Sequence, residues 1–516
     1  MAATPNRGIA VISGGSAANN LVDVFDAIRA SKNCPLSYII PISDNGGSSS
    51  ELIRIFGGPG IGDVRSRLVR LIPDLPVNPE RMAIKKLFNH RLPAEAAAAS
   101  LEWLSIVDGT SGLWISITPA KKELIRSFFN MLNLEILKRA RPPSSTFDFT
   151  LASVGNLFLT GARIFSGSFE SAIYLLGSIC GVQSDIVRVI PAINSNFSHH
   201  ISATLIDGTM IVGQNSISHP SEATALGNAQ SARRPSLLLA DGDDLEDTDV
   251  SDTSDTVSYE EDHLPGSLAT LRNKNIAFSK AKNEDLPCRI SRIWYINPYG
   301  QEIRPAANPR VLEALNDAQA IVYSIGSLYT SIIPAIILRG VGKSIVNSPA
   351  RHKILILNGS LDRETGPPSQ SFLASDFVEA IARAGEESRG RRPESFPPLQ
   401  GSHDSTSSPA TIRPYSVIPY ASYVTHILHL DGPGTPQVDR ERLAQMGIET
   451  MRLYGRKATT KHKDQEEIVG MQYDSNALIQ ALEVVLGKKG DAMVRGGVDG
   501  GLWRRNTLDP GRREKK

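Results

Sequence analysis

A unit of apolar strand, glycine-rich turn and amphipathic helix recurs along this chain and restricts it to few folds. GIAVIS (8–13) runs through GGSAANN into LVDVFDAIRA, where Leu21, Val22, Val24, Phe25 and Ile28 recur at helical spacing. LSYIIPIS (36–43) runs through a long polar connector into VRSRLVRLI; QAIVYSIG (319–326) enters SLYTSIIPAIILRG; KILILNG (353–359) leads to LASDFVEAIARAG. Short, continuously apolar strands alternating with helices predict a parallel sheet covered on both faces. In HISATLIDGTMIVGQNSIS (200–218) an Asp-Gly pair separates two strand-like runs, which predicts a hairpin and hence an antiparallel portion of the sheet. The expected class is α/β, three-layered and mostly parallel.

The unit is expected to form one α/β domain over 7–486, broken by four stretches. Residues 94–146 carry LEWLSIVDG and KKELIRSFFNMLNLEILKRA and read as a helical insertion. Residues 220–285 contain the acidic run 241–262, with 11 carboxylates and no Lys or Arg. Residues 385–412 are rich in Pro and Ser, and 488–516 form a basic, Gly/Arg-rich tail. These last three are expected to lack order, because they hold too little apolar surface to offset ordering entropy.

Charge and cysteine content narrow the function classes. The chain carries a net +1, so its acidic run leaves about +12 on the remainder, an excess suited to phosphate-bearing ligands. No nucleic-acid-binding motif accompanies it, and no nucleic-acid partner is expected. Cys34, Cys180 and Cys288 have no CxxC spacing, which points to a reducing compartment and gives no zinc site. No apolar run approaches the roughly 18 residues of a membrane span. The apolar run at Gly8 leaves no room for a leader, so a cytoplasmic protein is expected.

The connector DNGGSSSELIRIFGGPGIGDVRSRL (44–68) is where chemistry concentrates. An ordinary loop needs one or two turn residues. Here Asp44 and Asn45 end a predicted strand, Gly46 and Gly47 permit close backbone approach, and Ser48, Ser49 and Ser50 bring hydroxyls to a helix start. Asp63 follows near the start of another helix, with Arg65 beside it; the carboxylate could pair with that helix, bind magnesium, or accept from a ligand. Gly14, Gly15 and Ser16 follow the first strand, and SIGSLYTSIIP (324–334) places Gly326, Ser327 and Leu328 after a later one. Loops at the carboxyl ends of parallel strands, opening onto helix N-termini, are where such sheets hold anions. Each could also be a structural turn; three on one sheet point to a common mouth. The chain has no GxSxG elbow and no Walker loop, and His426 and His429 lie three apart on a strand, a poor metal pair.

Taken in order, DNGGSSSELIR, GDVRSRL, GNLFLTGA (155–162), IVGQNSIS (211–218) and IGSLYTSIIPAI (325–336) resemble the signature segments of the CofD/YvcK family. NPRVLEAL (308–315) and YDSNALIQAL (473–482) are weaker matches, and the resemblance spans about 7–93, 147–220, 288–380 and 415–486. It implies a modified Rossmann-like sheet with its ligand site at the carboxyl edge. CofD-type members are 2-phospho-L-lactate transferases that use magnesium and a GDP-linked donor. YvcK-type members bind UDP-sugars and act in carbon metabolism and cell shape. Carried over, the phosphate-binding positions are Gly14, Gly15, Ser16, Asn45, Gly46, Gly47, Ser48, Gly155, Asn156, Gly326, Ser327 and Leu328. Asp44 and Asp63 are the implied catalytic and magnesium-binding pair. Two segments depart from the family pattern: SGGSAANN stands where GGGTG is usual, and LASV (151–154) where GHS is usual. The resemblance therefore implies either a magnesium-dependent transferase or a non-catalytic nucleotide-sugar sensor. The expected partners are a GDP- or UDP-linked small molecule and, in a homodimer, a second copy of the chain.

Overall fold

The structure is a computed structural model that describes residues 7–15, 17–44, 46–73, 78–141, 146–218, 285–297, 299–391, 418–462 and 465–487. Its strands are β1 (Gly8–Ile12), β2 (Leu36–Ile40), β3 (Val187–Pro191), β4 (His200–Leu205), β5 (Met210–Val212), β6 (Ile290–Ile296), β7 (Glu302–Ile303), β8 (Ala318–Tyr323), β9 (His352–Ile356), β10 (His426–His429), β11 (Glu449–Arg452), β12 (Gly455–His462) and β13 (Gln465–Tyr473). Seven of them form one sheet in the order β11-β10-β9-β8-β1-β2-β3, and every pairing is parallel. β2 is buried along its whole length and β1 nearly so, because helices cover both faces. From β1 the chain steps outward to β2 and β3, then returns to β8 on the other side of β1 and proceeds to β11. The switch in winding direction therefore falls between β1 and β8, and the loops after β1, β2 and β8 meet there.

The Asp207-Gly208 hairpin forms as expected, with Gly208 at φ 88°, but it does not join the main sheet. β4 and β5 belong to a separate four-stranded sheet, β5-β4-β6-β7, whose pairings are antiparallel. A local turn signal establishes which two strands pair, whereas sheet membership depends on β6, some 90 residues away in sequence.

Helices α1 (Val22–Lys32), α2 (Ser48–Phe56), α3 (Gly62–Arg70) and α4 (Pro79–Asn89) follow the first two strands. In α1 the expected Val22, Val24, Phe25 and Ile28 face inward, and Asn33 closes the helix in the left-handed conformation. Residues 94–141 form α5 (Ala96–Asp108) and α6 (Pro119–Arg139), followed by α7 (Val154–Ser166). Trp103 of α5 lies between Phe129 and Phe149, with ring centroids 5.3 and 5.6 Å away, so these helices extend the main core. Where α7 crosses α6, a Cβ on Gly161 would overlap the carbonyl oxygen of Phe128. Gly161→Ala is therefore expected to cost about 1–3 kcal/mol by overpacking, read as a melting temperature several degrees lower. An unchanged melting temperature would show that this crossing relaxes freely.

One expected boundary is corrected. Residues 385–388 are the last turn of the helix Ala374–Ser388, and 389–391 follow it. Glu386 is fully buried there, accepting from Tyr423 Oη at 2.7 Å, Arg389 at 2.7 Å and Arg391 at 3.1 Å. A helical turn tied to the core by a carboxylate is not available to a polar linker. The rest of that stretch, the acidic run and the basic tail lie outside the described residues. Among the described residues, all three cysteines are free and buried, and no helix is long and apolar enough to cross a membrane.

Candidate functional site

The loops after β1, β2 and β8 converge on a cavity of about 750 Å³ at the switch point. Gly14, Gly15, Asp44, Gly46, Gly47, Ser48, Asp63, Asn156, Gly326 and Ser327 all line it. Two expected residues do not. Leu328 is buried in the core, and Gly155 makes room for a neighbour, since a Cβ there would meet the Phe88 carbonyl at 2.6 Å and the Arg65 stem at 2.8 Å. Ser16 and Asn45 lie outside the described residues.

The two aspartates define one wall. Asp44 ends the second strand-loop and accepts from the Gly46 N–H at 3.0 Å. Asp63 stands in the first turn of α3 but does not cap it: the cap position is Ile61, without a side-chain bond. Its carboxylate instead reaches across to the first loop and accepts from the Gly15 N–H. A Cβ on Gly15 would overlap Asp63 Oδ1, and one on Gly62 would stand 2.7 Å from Asp44 Oδ2. Each carboxylate keeps a partial opening to the cavity but is otherwise enclosed by protein. That enclosure raises the pKa of Asp44, and it pushes Asp63 up to about 7, with repulsion from Asp44 adding to it and Arg67 and Arg65 opposing. Two carboxylates that resist ionising together are a pair whose repulsion a cation would relieve. Among the described residues no third His, Cys, Asp or Glu stands with them, so a divalent ion here would complete its shell with ligand oxygens and water.

The glycine loops differ from an open phosphate cradle. Gly14 admits the Ser331 side chain, whose Oγ a Cβ would overlap, and Gly15 admits Asp63. Gly47 is needed for its backbone, at φ 54° and ψ −136°, a conformation that L-residues avoid. In the late loop, the N–H groups of Tyr329 and Thr330 are already bound by Glu364, at 2.9 and 3.1 Å. Asn358 fastens both the N–H and the carbonyl of Gly326, at 2.9 Å each. Much of the donor capacity expected to meet phosphate is thus used by the protein itself.

Other groups supply what the loops do not. Arg65 and Arg91, Gln214, Asn215 and Ser218 line the cavity and were not among the expected site residues. Ser48 Oγ accepts from Asn156 Nδ2 at 3.0 Å, and Asn156 Oδ1 accepts from Arg65 Nε at 3.2 Å, a chain that links α2, α7 and α3. The Ser49 hydroxyl, on the cavity wall and buried, has no partner among the described residues. A buried orphan hydroxyl costs free energy unless something bound satisfies it, so it favours a polar ligand. Beneath the first loop, fully buried Arg67 donates to the carbonyls of Ala18 and Gly14 and to Ser13 Oγ at 3.2–3.3 Å, and stacks 4.5 Å over Tyr38. The polar QN pair in IVGQNSIS is a sequence signal for Gln214 and Asn215. Arg91 has none, because it follows a helix end and reaches the cavity only through the tertiary fold.

A doubly wound parallel sheet with a polar, carboxylate-bearing cavity at its switch point defines a Rossmann-like α/β protein. Residues 9–451 match the family model described as 2-phospho-L-lactate transferase CofD, and the chain belongs to the CofD family. An uncharacterized protein of Saccharomyces cerevisiae is 44% identical over 73% of this chain and 83% of its own length. The gluconeogenesis factor of Bacillus subtilis is 21% identical over 72% of this chain and 73% of its own. A solved Bacillus halodurans protein of the upf0052 family aligns with 93% of this chain and 99% of itself, at 18% identity and a TM-score of 0.50, a likeness of fold.

Proposed function

We propose that the switch-point cavity binds a nucleotide or nucleotide-sugar together with magnesium, and that the protein transfers a phosphate-linked group in the manner of CofD-type 2-phospho-L-lactate transferases. The observation that carries this reading is the Asp44–Asp63 pair, whose mutual repulsion a bound cation would relieve. Asp44 and Asp63 would hold the ion, which when bound would neutralise phosphate oxygens. The chain's other groups position: Ser48 and Asn156 fix the cavity wall, and Gly46 and Gly47 let backbone approach the ligand. Transfer by positioning and charge neutralisation needs no covalent nucleophile. A second reading, a non-catalytic UDP-sugar sensor of carbon metabolism, is favoured by the relatives named gluconeogenesis factor.

Thermal shifts with GDP, UDP, UDP-GlcNAc and ATP, each with and without magnesium, test binding without assuming a reaction. A ligand specific to the folded state stabilises it by about 2.7 kcal/mol at a hundredfold excess over Kd. A uridine nucleotide-sugar shifting most would favour the sensor; a magnesium-dependent GDP preference would favour the transferase, and released GMP would establish it. No shift with any of the four at millimolar concentration would refute the nucleotide site.

A further inference from the structure

The cavity contains two cations that make no ion pair at contact distance among the described residues; Arg65 feels Asp44 and Asp63 only from farther off. Arg65 and Arg91 both line it. Among the described residues neither stands within salt-bridge distance of a carboxylate, whereas Arg54, Arg70, Arg292 and Arg310 each reach one at 3.0 Å or less. Their anchors are neutral. Arg65 donates from Nε to Asn156 Oδ1 at 3.2 Å and from Nη1 to Asn89 Oδ1 at 3.3 Å. Arg91 donates from Nη1 to the Leu151 carbonyl at 3.2 Å. That carbonyl belongs to a residue at φ 55°, which a leucine adopts only at a cost. The backbone is thus held in a strained turn whose carbonyl fastens Arg91 at the rim.

Two guanidinium groups facing one cavity repel each other. Neutral acceptors orient a guanidinium but do not offset its charge; a phosphate or carboxylate does both, through paired N–H donors. The glycine loops are poorly placed to substitute for these arginines, since Asp63 and Glu364 already take the N–H groups of Gly15, Tyr329 and Thr330.

We propose that Arg65 and Arg91 form an oxyanion subsite of this cavity, distinct from the cation position at Asp44 and Asp63, which takes a phosphate or carboxylate group. It rests on the reading of the cavity as a ligand site and adds which residues meet the ligand's negative charge. The group belongs either to the nucleotide's own phosphates or to a separate phosphate- or carboxylate-bearing substrate.

The test titrates inorganic phosphate, by calorimetry and thermal shift, into the full-length protein and its Arg91→Ala, Arg91→Lys and Arg65→Lys variants. Arg91 is exposed, so its variants are expected to fold; the unliganded melting temperature checks this for all three. Arg91→Ala is expected to weaken phosphate binding about tenfold or more, the loss of one charged hydrogen-bond donor set, and Arg91→Lys by less. Competition between UDP and phosphate in the wild type would assign the subsite to the nucleotide's phosphates, and simultaneous binding would assign it to a second substrate. Phosphate affinity unchanged in folded Arg91→Ala and Arg65→Lys, or no phosphate binding by the wild type, would overturn the subsite. Arg91-dependent phosphate binding without any nucleotide shift would leave the subsite standing and remove the nucleotide.

Discussion

Asp63→Asn is expected to make the folded protein more stable at pH 8 and to abolish its response to magnesium. The Asp63 carboxyl holds its proton in the fold up to about pH 7, because enclosure and Asp44 both disfavour the second charge. In the unfolded chain it ionises near its ordinary value of 3.8. Between those values the folded state binds the extra proton, so this group's contribution to stability falls as pH rises from about 4 to about 7, then levels off. Asparagine carries no titrating proton and keeps a carbonyl oxygen able to accept from the Gly15 N–H. The stability difference between variant and wild type should therefore open across that window and reach on the order of 4 kcal/mol at most. Wild-type magnesium binding should strengthen over the same range, since the ion displaces the proton. Denaturant melts at pH 4.5, 6 and 8, with and without magnesium, measure both effects. A variant less stable than wild type at pH 8 would mean that the pair does not repel, and the cation position would lose its physical basis.

That pair also marks how far the sequence could be read. Alternation of apolar runs and glycine turns indicated the parallel sheet, and the loops after β1, β2 and β8 do share one cavity. Asp44 and Asp63 were legible because one closes a strand just ahead of Gly46 and Gly47 and the other follows Gly62 at a helix start. What the glycines face was not legible. A glycine permits close approach without saying what approaches, and at Gly14 and Gly15 it is Ser331 and Asp63. Asp63 also read as a possible partner of its own helix, yet it serves the neighbouring loop, which only the packing of α3 against the turn Ala17–Leu21 could show. Arg91 and Glu364 come from segments without periodicity or motif, and their contacts are distant in sequence, Arg91 with Leu151 60 residues away and Glu364 with Thr330 34 residues away.

Glu364→Ala is expected to destabilise the protein by about 3–5 kcal/mol, whereas Glu364→Gln should cost about 1 kcal/mol or less at neutral pH. Glu364 is buried and accepts three hydrogen bonds: from the Tyr329 N–H at 2.9 Å, from the Thr330 N–H at 3.1 Å, and from the Thr330 hydroxyl. Alanine leaves two helix-terminal N–H groups and a hydroxyl without an acceptor in a dry site, and adds a void. Burial, reinforced by the neighbouring Asp362, pushes Glu364 up to about 8, so near pH 7 it is largely uncharged and a glutamine approximates it. The same linkage makes Glu364→Gln gain on the wild type as pH rises from about 4.5 to about 8, where the wild type progressively loses this group's proton. The effect should reach the cavity as well. Arg363, in the same turn, donates to the Ile217 carbonyl at 3.3 Å, so the turn braces the walls that carry Ser327, Thr330, Gln214 and Asn215. Glu364→Ala should accordingly weaken ligand-induced thermal shifts more than Glu364→Gln does. An alanine variant within 1 kcal/mol of the wild type would show that water or a backbone shift satisfies these donors, and that Glu364 does not hold the late loop closed to phosphate.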